Sequence, residues 1–309
     1  MKGLPNAGQT CYFNAAVQCL VYSPNMTNYF LAGCATADLN AKKKGSSTLA
    51  GAYAAFVHDY WTAEGAEADA SDVFAAFTKA CKGFAPDQQH DAHEAMMSLL
   101  DKLHDGLSKL KPGELAVADR PEVRRKPWLD GLKGACSVVS EVFRGQVEAE
   151  IVAPGYTSVS HDHFTCLSLA VNDAASLSQC LQRHMAPERL TDFKVDGNVI
   201  EATMTKRFTY LPRVLVVHLK RFDGSDKIDR FIDYQSELDL GPFATPECQR
   251  YYQLFAVCLH RGTTDDGHYC AMCEVKGRWY LLDDDAVAPM SNVNDIIQKD
   301  AYMLLYKRL

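Results

Sequence analysis

Three side chains in this sequence could perform nucleophilic chemistry together: Cys11, His268 and Asp283. Cys11 stands in GLPNAGQTCYFNAAVQCL, where a loop shaped by Gly3, Pro5 and Gly8 gives way to an apolar-periodic run. With Thr10 as the N-cap, the thiol falls in the first turn of a helix over about 11–22. Unpaired N–H groups and the positive end of the macrodipole there favour thiolate and can hold an oxyanion. Asn6 adds a side-chain amide donor nearby. His268 follows Gly267 in HRGTTDDGHYCAMCEVKGRWYLLDDDAV and opens a strand; the VKGR turn leads into a second strand ending at Asp283. Such a hairpin returns a carboxylate to the imidazole, giving a base and the group that orients it. Taken singly, the three have plain readings as a packed cysteine, a hairpin histidine and a solvated turn acid. The combination points to thiol-dependent acyl transfer.

The chain that must position these groups has 309 residues, 47% hydrophobic and 23% charged, which is ordinary globular composition. Its net charge of −7 supplies no basic face, so nucleic acid is not expected as a partner; an acidic surface suits a basic peptide instead. Eleven cysteines without a paired framework, and no apolar leader or membrane-length run, indicate free thiols in a reducing compartment, cytosol or nucleus, with no membrane partner. The first third has helical spacing: Phe13, Ala16, Val17 and Leu20 form one stripe, STLAGAYAAFVHDYW and SDVFAAFTKAC follow after a polar loop over 40–47, and a further helix starts near Asp87. KPGELAVADRPEVRRKPWLDGLK, residues 111–133, reads as a loop or excursion. Beyond it the period becomes two: VEAEIV, HFTCLSLAV, VLVVHLKRF, YQLFAVCLH, HYCAMCEV, RWYLLD and AYMLLYKR read as strands. Helices first and strands afterwards predict an α+β fold.

Four segments, in order, resemble those of the ubiquitin-specific proteases, the papain-like deubiquitinases. GLPNAGQTCYFNAAVQCL resembles their cysteine box, QQHDAHEAMMSLLD an internal glutamine–aspartate segment, LPRVLVVHLKRF a palm strand, and HRGTTDDGHYCAMC with WYLLDDDAV their histidine box. The resemblance implies a right-hand fold made as a single catalytic domain over 1–309, with a helical thumb over about 1–110 and a β palm and fingers over about 111–309. It implies Cys11 as nucleophile, His268 as base, Asp283 as its orienting acid, Asn6 as oxyanion donor and Asp284 as a supporting acid. Gln89, Asp91, Glu94, Gly267 and Tyr269 resemble substrate-binding positions. Asp91 and Glu94, three apart, can share one side of a helix and bind arginines, as in a tail ending Arg-Leu-Arg-Gly-Gly. The expected partner is therefore ubiquitin or its conjugates, with specificity left to this domain or to a regulatory protein. The alternatives are a ubiquitin-binding scaffold with little catalysis, or a protease for another modifier ending in Gly-Gly.

Metal readings are weaker. His90 with His93, and His161 with His163, are half-sites without further ligands, while Cys270 and Cys273 point to opposite faces of one strand. Many members of the family hold a fingers zinc with two CxxC pairs; the positions that match here are Ala153, Tyr156, Val195 and Asn198. No metal and no cofactor is expected, and the fingertip is expected to be held by packing or to be shortened.

Overall fold

The computed structural model describes residues 1–108, 122–132, 135–224, 226–263 and 266–309. The helices among them are α1 (Cys11–Val21), α2 (Pro24–Leu31), α3 (Cys34–Asp38), α4 (Lys44–Thr62), α5 (Ser71–Ala80), α6 (Ala92–Leu107), α7 (Glu122–Leu132), α8 (Val138–Phe143) and α9 (Leu177–His184). All eleven residues of α1 are buried, more than a single stripe. A helix enclosed all round must satisfy its polar groups internally. Asn14 and Gln18, one turn apart, do so by donating to Leu4 O and Lys2 O, each at 3.0 Å. They thereby lace the extended N-terminal segment onto α1. Helices α5 and α6 and the large sheet complete the enclosure.

The strands are β1 (Gly145–Ala153), β2 (Tyr156–Phe164), β3 (Cys166–Ala170), β4 (Glu188–Val195), β5 (Asn198–Tyr210), β6 (Val214–Lys220), β7 (Phe222–Asp223), β8 (Asp226–Lys227), β9 (Glu237–Asp239), β10 (Tyr251–Gly262), β11 (Gly267–Val275), β12 (Arg278–Asp283), β13 (Ala286–Pro289) and β14 (Ala301–Arg308). The large sheet runs β13-β12-β11-β10-β14-β6-β3, with β9 also on β10; its pairs are antiparallel except β3 beside β6. Alternation survives as a choice between two cores. Val214, Val216, Ala256, Cys258, Ala271 and Cys273 face the helical core, whereas Leu215, Val217, Val257, Leu259, Cys270 and Met272 face a second core that includes α9. Burial on both faces makes these strands read as continuous apolar runs. Cys270 and Cys273 do lie in different cores.

A smaller sheet, β2-β1-β5-β4, is antiparallel throughout. Strands β4 and β5 escape sequence reading because much of each is exposed and polar on both faces. The single apolar run HFTCLSLAV is divided: β2 ends in the small sheet at Phe164 and β3 begins in the large one at Cys166. The expected loop over 40–47 is helical from Lys44, and the helix expected near Asp87 begins only at Ala92. Within the stretch read as a loop, residues 122–132 form α7 despite Pro127, because the turn buries Trp128 with Leu132 and Cys136. Residues 111–121 and 133 lie outside the described residues. Among the described residues no helix is long and apolar enough to cross a membrane.

Candidate active site

Strand β11 carries His268 at its start and β12 carries Asp283 at its end, and their antiparallel pairing brings the two together. His268 Nε2 lies 2.5 Å from Asp283 Oδ1, which commits that nitrogen and leaves Nδ1 for proton exchange. Opposite His268 on β10 stands Arg261, whose Nη1 is 3.9 Å from Asp283 Oδ2 and whose Nε is 3.9 Å from an Asp300 oxygen. The preceding residue must be glycine on steric grounds: a Cβ on Gly267 would lie 2.2 Å from His260 Nε2.

Cys11 is the first residue of α1 and is 3% exposed. The backbone N–H groups of Tyr269, Tyr12 and Cys11 itself lower its pKa, as a helix start should. Burial outweighs them and the Asp284 carboxylate adds to it, so the net shift is upward. The helix start thus favours thiolate as expected, but burial outweighs it, and the net direction is toward the thiol, which a base must deprotonate. Thr10 occupies the N-cap position without a side-chain cap bond. Its Oγ1 instead accepts the Ala7 N–H at 3.0 Å and donates to Asn6 Oδ1 at 3.1 Å.

Asn6 is held from both ends. Its Oδ1 also accepts the Thr10 N–H at 3.1 Å, and its Nδ2 donates to Asp284 Oδ2 at 2.8 Å. Asp284 sits in the turn between β12 and β13 with φ of 52°, a left-handed conformation unusual for a non-glycine. Its carbonyl accepts the Leu4 N–H at 2.8 Å, and Asn14 Nδ2 donates to its Oδ1 at 2.8 Å. A Cβ on Gly3 would lie 2.1 Å from Asp285 O, so only glycine lets the N-terminal segment press against this turn. Sequence reasoning missed Asn14 and Arg261. Asn14 had a signal, since it and Gln18 interrupt an otherwise apolar helix at i, i+4.

A buried thiol at a helix start, an imidazole bonded to a carboxylate, and the Asn6 amide are groups suited to thiol-dependent hydrolysis. The ubiquitin carboxyl-terminal hydrolase family matches residues 2–306. The chain belongs to that family. It is 29% identical to ubiquitin carboxyl-terminal hydrolase 2 of Rattus norvegicus over 334 residues, covering 99% of this chain and 54% of that protein. It is 31% identical to ubiquitin carboxyl-terminal hydrolase 23 of Arabidopsis thaliana over 326 residues, covering 99% of this chain and 35% of that protein. Among solved structures it is similar to the SAGA Ubp8/Sgf11/Sus1/Sgf73 DUB module bound to ubiquitin aldehyde, with TM-score 0.80, 25% identity, and coverage of 100% of this chain and 70% of that one. The chain thus spans about a third to a half of the length of these curated relatives, and it has the α+β fold of ubiquitin-specific protease catalytic domains.

The remaining positions taken from the ubiquitin carboxyl-terminal hydrolase pattern are placed less uniformly. Gln89 and Glu94 are exposed. Asp91 precedes α6 as its N-cap, so it does not share a helix face with Glu94. Its Oδ1 accepts the N–H groups of His93 and Glu94 at 2.7 and 2.9 Å, and its Oδ2 accepts the Tyr302 hydroxyl. Gly267 and Tyr269 are buried, the Tyr269 ring lying against His260 and Tyr302. Neither histidine pair forms a ligand cluster among the described residues. His90 contacts Ala85 O, His93 stacks on His218, and His161 pairs with Glu148 at 3.2 Å. The one group of ligand atoms lying within 4.8 Å of one another among the described residues is His268, Asp283 and Asp284, whose oxygens and nitrogen are engaged as above. Ala153 pairs with Tyr156, and Val195 with Asn198, at the tips of two hairpins, where the Tyr156 ring packs on Phe193 at 5.6 Å.

Proposed function

We propose that this chain is a thiol-dependent ubiquitinyl hydrolase that cleaves the bond after the C-terminal glycine of ubiquitin, whether isopeptide or peptide. The observation that carries this reading is the His268–Asp283 pair on a strand whose next residue, Tyr269, turns its backbone N–H to the thiol of Cys11 at a helix start, in a chain of this family. His268 takes the Cys11 proton through Nδ1 while Asp283 holds Nε2 and stabilises the imidazolium. The sulfur attacks the glycine carbonyl, and the free hydrogen of the Asn6 amide, with backbone N–H groups, receives the oxyanion. The imidazolium protonates the leaving lysine amine; the neutral ring then activates water to hydrolyse the thioester.

Burial pushes the Cys11 thiol up, so its attack calls on His268 as base. Glu94 and the charge of Asp91 suit the arginines of a ubiquitin tail, Gln89 an exposed edge of that path, and Gly267 with Tyr269 its floor. The helices of 1–110 act as the thumb and the two sheets as palm and fingers of one catalytic unit. Ubiquitin conjugates are the substrates, and a regulatory protein is a natural partner, as a related DUB module contains other proteins beside Ubp8. Cytosol or nucleus suits free thiols.

The test is turnover of a ubiquitin C-terminal fluorogenic substrate, with labelling by ubiquitin bearing a thiol-reactive warhead. Turnover and a label on Cys11 are expected, both lost in Cys11→Ala, while that variant still binds ubiquitin. Turnover that persists in Cys11→Ala would refute the proposal; binding without turnover in the unsubstituted chain would make it a scaffold.

A further inference from the structure

Asn14 lies one turn beyond Cys11 on α1, is 4% exposed, and has no part in the reaction as written above. A buried amide on an apolar helix is unfavourable unless its polar atoms are matched, so its partners are informative. Its Nδ2 donates to Leu4 O at 3.0 Å and to Asp284 Oδ1 at 2.8 Å. The second of these crosses from the helix that bears the nucleophile to the turn that follows Asp283, and its acceptor is a carboxylate, which makes it the stronger kind of bond. The other oxygen of the same carboxylate holds Asn6 Nδ2 at 2.8 Å.

The two asparagines therefore grip one carboxylate from opposite sides. Asp284 does not owe its position to an easy backbone, since its φ of 52° is one that L-residues avoid. Its place depends on what binds it: Asn14, Asn6 and the Leu4 N–H. Asn6 in turn has its Oδ1 fixed by Thr10 N–H and Oγ1, and one amide hydrogen fixed by Asp284. The direction of its second hydrogen, the one left for an oxyanion, then follows from where Asp284 stands.

We infer that Asn14 is a positioning residue: by holding Asp284 Oδ1 it fixes the carboxylate that aims the Asn6 amide at the developing oxyanion. The inference rests on the proposed roles of Cys11 as nucleophile and Asn6 as oxyanion donor. Asn14 touches no reacting atom. It links the helix of the nucleophile, the oxyanion donor and the turn beside the acid of the base, so that all three move as one unit.

The test uses the full chain and the fluorogenic ubiquitin substrate. Asn14→Leu should lower kcat roughly 10- to 100-fold, the scale for misaligned catalytic groups, while KM stays within about twofold. In an Asn6→Ala background the same substitution should add little, because its effect passes through Asn6. Asn14→Asp gives a readout that packing alone would not move. Two facing carboxylates share a proton at acid pH, because each raises the other's affinity for it, and separate by repulsion when that proton leaves. Its kcat should approach that of the unsubstituted chain at the acid end and fall with rising pH, a limb absent from Asn14→Leu.

Unchanged kcat in Asn14→Leu, a loss that multiplies undiminished with Asn6→Ala, or a rise in KM alone would overturn the inference. If thermal unfolding and ubiquitin binding show that Asn14→Leu fails to fold, the Asn14→Asp profile decides, and its lack of a descending limb overturns the inference. An unsubstituted chain that neither turns over substrate nor labels at Cys11 removes the functional reading and this inference together; an active chain indifferent to Asn14 removes this inference only.

Discussion

The seam between the helices of the first third and the large sheet, and the small sheet of β2-β1-β5-β4, are built by opposite means. At the seam, groups far apart in sequence meet: Asn6 and Asp284 are separated by 278 residues, Asp91 and Tyr302 by 211. Most residues there are buried, several held by more than one bond, and glycines such as Gly3 and Gly267 mark places with no spare volume. In the small sheet the neighbours are mainly hairpin partners, and Val152, Val159 and Val199 are 47, 52 and 58% exposed. The seam is over-determined, as a site that must hold catalytic geometry requires. The small sheet is held by its own ladder, by Trp128 of α7 against His163 and Tyr210 and Phe164 against Phe208 at the end away from the tip, and at the tip by one aromatic contact. Substitutions should accordingly be costly at the seam and mild in the sheet.

The largest expected effect is at Gly267. In Gly267→Ala the new methyl meets His260 Nε2 at 2.2 Å and Thr263 O at 2.8 Å, so β11 must shift where it carries His268. Overpacking of this kind costs about 1–3 kcal/mol. Displacing the base should cost roughly 100-fold in turnover of the ubiquitin substrate. Stability from denaturant unfolding and kcat measured on the same preparation check both. A variant with wild-type kcat would show the seam to be softer than its packing indicates.

Acid should also strike the seam first. His93 of α6 stacks on His218 of β6, ring centroids 4.0 Å apart and planes 12° from parallel. Burial first, and then mutual repulsion and Lys220, push His218 down to about 3; burial lowers His93, and it brings His260 to about 4. The unfolded chain binds these protons near the ordinary histidine value, whereas the folded chain binds them only at lower pH. Their stabilisation is therefore complete above about pH 6.5 and is lost progressively as pH falls toward 4, by a few kcal/mol in all. Thermal midpoints taken from pH 7 to 4 should fall along this limb. His218→Phe, which keeps a ring in the stack, should flatten the limb; an unaltered slope would remove His218 from the account.

The same contrast explains what was legible in the sequence. The place of Cys11 at a helix start and the pairing of His268 with Asp283 were readable because loop-to-helix and hairpin signals are local, and the large-sheet strands because they are uninterrupted apolar runs. Strands β4 and β5 were not, since an open, two-sided polar sheet leaves no alternation to find. The pull of the helix start toward thiolate was legible, but the burial of Cys11 that outweighs it, and the Asp284 carboxylate beside it, are tertiary facts. Asp91 was misplaced onto a helix face for the converse reason: its capping role requires knowing that α6 starts one residue later. Tyr156 was visible only as a position where a thiolate is usual in relatives; that its ring meets Phe193 follows from two hairpin tips approaching in space.

The smallest effect expected is at that tip, and it sharpens the contrast most directly. Phe193 lies on β4 and Tyr156 opens β2, the two edge strands of the small sheet, so their contact joins strands that share no ladder. An aromatic pair of this kind contributes about 0.5–1.5 kcal/mol beyond area burial. Phe193→Ala removes it without touching either hairpin register. The loss should appear as faster amide hydrogen exchange at the turns after Ala153 and Val195, with exchange along β10 and β11 unchanged, because local opening there does not require the seam to open. Turnover of the fluorogenic substrate should stay within about threefold of wild type, since roughly 0.6 kcal/mol separates such rates. If protection fell equally in β11 and kcat dropped with it, the two regions would be one cooperative unit, and the division between a rigid seam and a soft sheet would have to be abandoned.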